Sequence, residues 1–375
     1  MTTEPGSLFC HPEPDPELDS GSIDFGISVL GSKNLGYKAP SREGGTLLFL
    51  FCGILLVISL QNAIAGQETS TARSIISAGL GRTYRIHIPG SYEKANPIPL
   101  LIVLHGGGGT GEGMVKLTQG GFNRLSDKEG FIVVYPDGIE KHWNDGRENV
   151  SYRAYREKID DVGFISSLID HLAKEYNIDI RRVYVTGISN GAIMSFRLGC
   201  ELSEKIAAIA PVAGSMPENL PTRCSPSRSI SVLIISNTAD PLVPWGGGEI
   251  RFGRQKFGKV LSVAESVKFW VNHNQCSLPP AISMEPDRDP KDGTRVRREA
   301  YNQCREGMEV VLYAIEGGGH TWPGGHQYLP EWIIGKTSRD IKANEVIWGF
   351  FQEARKQIST FQVSDPCYGY TRFFM

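Results

Sequence analysis

The sequence has no excess charge of either sign. Its 39 Lys and Arg stand against 41 Asp and Glu over 375 residues, a formal net charge of −2. That excludes the basic field a nucleic-acid partner requires, and no Lys/Arg run marks a membrane-surface patch. No apolar stretch reaches the ~20 residues that a helix needs to cross a bilayer. The cysteines show neither CxxC pairs nor Cys/His zinc spacing, which argues against a metal cluster. The longest glycine run, residues 103–113 (VLHGGGGTGEG), lacks the GK[ST] ending of a Walker phosphate loop. Its spacing before a helix does not make a dinucleotide fingerprint either. No internal repeat and no Ser/Thr/Pro-rich linker follows residue 66. What is left is 40% hydrophobic and 21% charged, the composition of an ordinary globular protein long enough to bury a large core.

The apolar residues 47–60 (LLFLFCGILLVISL) are interrupted only by Gly53 and Ser59. Lys38 and Arg42 precede them, and Ala63-Ile64-Ala65 follows with the small-x-small form of a signal peptidase site. Residues 46–65 therefore read as an export signal with its cleavage site. The mature chain would start at Gly66, keep no membrane anchor, and be secreted or periplasmic. Residues 1–45, acidic and without apolar periodicity, read as a disordered leader or as sequence ahead of the true start. Cys10 and Cys52 lie before the cut. In an oxidising compartment Cys200 is expected to pair with Cys224 and Cys276 with Cys304, leaving Cys367 over.

After Gly66, strand-like and helix-like segments alternate, which predicts a mostly parallel sheet covered on both faces. Residues 82–89 alternate polar and apolar as an edge strand does. Residues 98–106, 131–138, 182–187, 207–214 and 230–237 are continuously apolar, as central strands are. Residues 297–301 and 309–317 would be the last strands. Helices are predicted over 160–176, 262–274 and 339–358, each with an apolar stripe. One α/β domain over 66–375 is the economical reading.

Ser189 stands in Gly187-Ile188-Ser189-Asn190-Gly191, between a predicted strand and a predicted helix. A nucleophile on such a turn needs small neighbours, because the turn is strained and backbones approach closely. A bare GxSxG is a weak signal; this flanking pattern strengthens it. A serine hydroxyl needs a base, and the base an orienting carboxylate. Three histidines follow Ser189. His273 falls in a predicted helix and reads as a surface residue. His320, in the glycine-rich loop after the last strand, is the candidate base, with His326 as the back-up. Asp240, just past the strand 230–237, is the candidate carboxylate, at the sheet edge where such groups collect. Gly107 and Asn190 N–H are the candidate oxyanion donors, with Gly108 the alternative to Gly107. His105 reads as a brace for that loop.

The blocks LHGGGG, VTGISNGAIMSFRLGCE, AAIAPVAG, NTADPLVPW and GGGHTWPGG resemble the secreted polyhydroxybutyrate depolymerase and feruloyl esterase family of α/β-hydrolases, over roughly residues 80–355. The resemblance implies an α/β-hydrolase core of about eight strands and carboxylic ester substrates. It also implies a serine acyl-enzyme and no cofactor. By motif it makes Ser189, Asp240 and His320 the triad. HWNDGRE and KIDDVGFI look like family blocks near the pocket. Nothing resembles a polymer-binding domain, which favours soluble or oligomeric esters, whether hydroxybutyrate oligomers or feruloyl and acetyl esters of plant polysaccharide, over solid polymer. Trp143, Trp245 and Trp322 are nominated as aromatic walls for substrate. Asp160 and Asp161 could contact ligand but are better placed to cap the helix that follows. An exported peptidase would use the same triad order. A non-catalytic binding protein on this scaffold would be expected to have lost one of these residues, and all are present.

Overall fold

Unbroken apolar runs build the middle of the sheet and mixed ones its edges. The computed structural model describes residues 70–148 and 152–361, all within a compact unit from Gln67 to Met375. The leader, the export signal, Cys10, Cys52 and Cys367 lie outside the described residues. In chain order the strands are β1 (Thr71–Ser77), β2 (Leu80–His87), β3 (Ile98–Leu104), β4 (Ile132–Pro136), β5 (Ile178–Ile188), β6 (Ala208–Val212), β7 (Ser231–Asn237), β8 (Gly248–Phe252), β9 (Gln255–Val260), β10 (Ala281–Met284), β11 (Arg295–Tyr301) and β12 (Val310–Glu316). The main helices are α1 (Gly111–Leu117), α2 (Gly121–Glu129), α3 (Asp161–Glu175), α4 (Asn190–Glu201), α5 (Val263–His273) and α6 (Ala343–Phe361).

Ten strands form one sheet in the order β1-β2-β4-β3-β5-β6-β7-β12-β11-β10, and β8 pairs with β9 apart from it. From β4 to β12 the neighbours run parallel; β2–β1 and β11–β10 are antiparallel margins. The expected eight strands are thus ten. The two unforeseen ones, β1 and β10, are edges whose side chains are largely exposed, so neither shows an apolar run.

Every residue of β3, β4, β6 and β7 is buried. Period-two alternation sends them to opposite faces. Leu100, Ile102 and Leu104 pack with Phe164, Leu168 and Trp270 of α3 and α5. Leu101 and Val103 pack with Phe122 of α2 and Trp348 and Phe351 of α6. Each such side chain contributes about 1.5–3 kcal/mol of burial. Helix α5 starts at a capping box, Ser262 Oγ accepting from Glu265 N at 3.1 Å while the Glu265 carboxylate accepts from Ser262 N at 2.9 Å. The helix predicted from 339 begins only at Ala343. Asp340 is buried, and its Oδ1 accepts from Arg288 N at 2.8 Å and Asp289 N at 3.2 Å, tying residues ahead of the helix to a distant loop. Disulfides Cys200–Cys224 and Cys276–Cys304 close loops with sequence separations of 24 and 28, worth about 3 kcal/mol each by chain entropy.

The chain leaves β3 toward β4 on one side and leaves the adjacent β5 toward β6 on the other. Opposite departures at adjacent parallel strands open a crevice beyond their carboxyl ends. Leu104 is in register with Gly187 there, so the loop after β3 and the turn after β5 meet. At β7 and β12, Asn237 pairs with Ile315, and the loops that follow are neighbours in the same way.

Candidate active site

Ser189 sits between the end of β5 and the start of α4 with φ +56° and ψ −121°, a region that L-residues rarely occupy. The turn fits only because its neighbours are glycines. A Cβ on Gly191 would lie 2.5 Å from the carbonyl oxygens of Leu104 and His105, and one on Gly187 would lie 2.8 Å from Gly191 backbone. The Ser189 carbonyl accepts from Ile193 N at 2.9 Å, starting the helix.

Asp240 belongs to the loop after β7. Its Oδ1 accepts from Leu242 N at 2.8 Å and Val243 N at 2.9 Å, the bonds of a turn aspartate. Its Oδ2 lies 2.7 Å from His320 Nδ1. Both side chains are almost wholly buried, at 2% and 4% exposure. The loop that brings His320 there presses against residues 334–335: a Cβ on Gly319 would sit 2.2 Å from Ile334 O. Tyr328 OH donates to His320 O at 3.0 Å; burial and the Asp240 charge raise its pKa, so it stays a donor. With Nδ1 held by Asp240, Nε2 is the free ring nitrogen of His320. Ser189 and His320 line one cavity of about 550 Å³. No hydrogen bond joins them in the structure.

The loop after β3 forms another wall of that cavity. Gly108 N–H donates to Lys141 O at 2.9 Å and Gly109 N–H to Gly106 O at 3.0 Å. Gly107 N–H has no acceptor among the described residues, so Gly107, not Gly108, is the open donor beside Asn190 N–H at the first position of α4. His105 braces the loop. Its Nε2 accepts from Gly138 N at 3.0 Å, so Nδ1 carries the proton given to Gly106 O at 2.7 Å. Burial pushes its pKa down to about 4, keeping it neutral.

The Asn190 side chain is clamped from below. Its Oδ1 accepts from Trp143 N at 2.8 Å, and its Nδ2 donates to Trp143 O, Asp145 Oδ2 and Tyr155 OH at 3.0, 2.7 and 3.1 Å. Arg147 pairs with Asp145 at 2.8 Å and donates to Tyr155 OH at 3.0 Å and Phe257 O at 2.6 Å. Burial works to lower the pKa of Arg147, but the Asp145 charge and Tyr155 outweigh it, so the guanidinium stays charged. A single buried network thus supports both the turn that carries Asn190 and the β8–β9 hairpin.

The tryptophans lie elsewhere. Trp143 is fully buried, donates Nε1–H to His105 O at 2.9 Å and packs on the His105 ring. Trp322 is fully buried, bonded to Asn344 Oδ1 at 3.0 Å and packed edge-on to Phe122. Trp245 packs against the main core. None lines the cavity. The aromatic wall is instead His142, Tyr152, Phe252, Phe257 and Tyr328. His142 stacks on Tyr152 with centroids 3.5 Å apart, and Tyr152 on Phe257 at 5.7 Å. These positions are scattered between residues 142 and 328, and only the block HWNDGRE hinted at any of them. Asp160 caps α3 through Gly163 N at 2.7 Å. Asp161, also buried, pairs with Arg82 at 2.6 Å and accepts from Asn144 N at 2.7 Å, so neither reaches the cavity. His326 is exposed and outside it. His273 is half-buried against Phe269 and Trp270 rather than on the surface.

The family model "Esterase PHB depolymerase" matches residues 83–225. NocK of Nocardia uniformis subsp. tsuyamanensis, a protein named as an esterase, is 32% identical over 290 residues, 75% of this chain and 82% of that one. The chain belongs to the PHB depolymerase esterase family. Feruloyl esterase B of Piromyces equi is 28% identical over 242 residues, which span 63% of this chain and 42% of that longer protein. Among solved structures, the acetyl xylan esterase from Aspergillus awamori superposes with a TM-score of 0.51 at 15% identity, covering 76% of this chain and 99% of that one. That likeness shows the α/β-hydrolase fold. This PHB depolymerase-family esterase is thus a carboxylic ester hydrolase built on a ten-stranded sheet.

Proposed function

We propose that this esterase is an exported serine hydrolase that cleaves carboxylic esters through an acyl-enzyme. Ser189 Oγ attacks the ester carbonyl carbon while His320 Nε2 takes its proton. Asp240 fixes the imidazole orientation and stabilises the imidazolium that forms. Gly107 and Asn190 N–H groups receive the oxyanion, each worth a factor of ~100 to 1,000 in rate. Collapse of the tetrahedral intermediate expels the alcohol, which leaves with the proton from His320. Water, deprotonated by His320, then attacks the acyl carbon and releases the acid from Ser189. The observation that carries this reading is the 2.7 Å Asp240–His320 pair, buried beside a cavity that also holds the strained Ser189 and the open N–H of Gly107.

The substrate is an oligomeric hydroxyalkanoate ester or an acyl ester of plant polysaccharide, in keeping with the family description and with the feruloyl and acetyl xylan esterases this chain is similar to. A cavity of about 550 Å³ with apolar and aromatic walls suits a short oligomer or one aryl acyl group. The two disulfides and the apolar run ahead of Gly66 support export. Among the described residues no helix is long and apolar enough to cross a membrane. A hydrolysis panel of p-nitrophenyl acetate, hydroxybutyrate oligomers, methyl ferulate, acetylated xylan and a peptide anilide tests the reading. Turnover of at least one ester and not of the anilide is expected. Cleavage of the anilide alone would overturn it.

A further inference from the structure

His142 is a cavity residue that the mechanism above leaves unused. It is held unusually firmly for a side chain in a loop. Its backbone N–H donates to Ile139 O at 3.0 Å, its Nδ1 lies 2.8 Å from Glu140 O, and its ring stacks on Tyr152 with centroids 3.5 Å apart and planes 18° from parallel. A carbonyl oxygen only accepts, so Nδ1 carries the proton and Nε2 is left as a lone-pair acceptor. Nε2 has no partner among the described residues. The charged groups around the ring are Arg147 and Asp145 from the loop beneath and Glu140 on its own turn. Burial and the Arg147 charge, working against the Glu140 bond, lower the His142 pKa, which keeps the ring neutral and accepting at pH 7.

The position of this acceptor is what matters. A Cβ built on Gly107 would lie 3.4 Å from His142 Cδ2, 3.5 Å from Nε2 and 3.8 Å from Asn190 Cβ. Nε2 and the Asn190 side chain therefore both lie against Gly107, so a carbonyl oxygen held by the Gly107 and Asn190 N–H groups assigned above would bring only its nearest substituents within reach of Nε2. A phenolic hydroxyl at the far end of a cinnamoyl group lies too far away. A hydroxyl one or two carbons from the ester does not.

We propose that His142 Nε2 accepts a hydrogen bond from a hydroxyl a few bonds from the scissile carbonyl, making this esterase selective for hydroxy-substituted esters. The inference rests on the catalytic reading of Ser189 and its oxyanion donors. Such a hydroxyl has two sources: the acyl side, as in a 3-hydroxyacyl ester, or the alcohol side, as in the mono-ester of a vicinal diol or sugar. An ester lacking it leaves a partly buried acceptor unpaired, which is how a polar pocket rejects a deoxy analogue.

Two matched pairs test this: ethyl 3-hydroxybutyrate against ethyl butyrate, and 2-hydroxypropyl acetate against propyl acetate. The readout is the ratio of kcat/KM within each pair, compared between wild type, His142→Phe and His142→Gln, so that intrinsic ester reactivity and any general loss of activity cancel. Phenylalanine keeps the stack on Tyr152 and removes the acceptor; glutamine restores an acceptor oxygen. Wild type is expected to favour the hydroxylated member about 5- to 10-fold more than His142→Phe does, in one of the pairs. His142→Gln should recover part of that preference, and the responding pair identifies the side. Ratios equal in wild type and His142→Phe for both pairs would refute the proposal, as would labelling of Ser189 by a fluorophosphonate without turnover of either pair. Absence of both labelling and turnover would instead bring down the catalytic reading, and the proposal with it.

Discussion

Replacing Ser189 with glycine should leave this esterase inert and more stable at once. At φ +56° and ψ −121° the residue occupies backbone space that glycine enters freely and other residues enter at a cost of about 1–3 kcal/mol. Ser189 Oγ makes no hydrogen bond to a described residue, so its removal leaves no broken pair. Glycine's added freedom in the unfolded chain takes back about 0.5–1 kcal/mol. The net expectation is a gain of about 1 kcal/mol, which for a folded unit of this size raises Tm by roughly 2 °C. Ser189→Ala retains the Cβ and therefore the strain, and its Tm should stay near that of the wild type. Calorimetry of the three proteins with disulfides intact decides the matter, alongside an ester assay in which both variants are inactive. If the alanine and glycine variants melt together, the turn stores no strain at residue 189 and the reasoning fails.

Asp240→Asn should lower kcat by about 1,000- to 10,000-fold, since the amide no longer favours the tautomer that presents Nε2 as a base. Its Tm should move little, because the remaining oxygen still accepts from Leu242 and Val243 N–H. Gly191→Ala should cost about 3 kcal/mol or more in urea unfolding, as its Cβ would fall 2.5 Å from two strand carbonyls. His105 gives the pH test. Its folded pKa of about 4 lies below the ordinary 6.5, so the unfolded chain binds the extra proton between those values. Its contribution is fully present above about pH 6.5 and lost on acidification toward pH 4, up to about 3 kcal/mol. In His105→Gln the urea midpoint should fall less steeply over that window than in the wild type. Trp322→Phe should lower Tm by about 2–4 °C through the lost Asn344 bond and leave KM unchanged, placing that tryptophan in the core.

The parallel strands were readable because strands buried on both faces must be apolar at every position, as β3, β4, β6 and β7 are. Their carboxyl ends then located Ser189, Asp240, His320 and the loop of Gly107 without reference to distance. Edges carry no such signature. In β10 the residues Ala281–Met284 are all exposed and short, so nothing set them apart from a loop. The β8–β9 hairpin mixes polar and apolar residues because one side faces the cavity and the other faces water. The tryptophans misled for a related reason. Nearness in sequence to a catalytic motif does not say which way a side chain turns, and Trp322, two residues from His320, turns into the layer beneath the sheet. The Asp145–Arg147–Tyr155–Asn190 network and the His142–Tyr152–Phe257 stack join segments from separate parts of the chain. Their partners become neighbours only after the sheet has formed.

The central claim is that Ser189, Asp240 and His320 act as one unit on an ester. Mass spectrometry of the protein after reaction with a fluorophosphonate tests it most directly. The predicted result is one adduct, on the peptide containing Ser189, absent in Ser189→Ala and formed at least 100-fold more slowly in His320→Ala. An adduct that forms equally in Ser189→Ala, or at an undiminished rate in His320→Ala, would contradict the account.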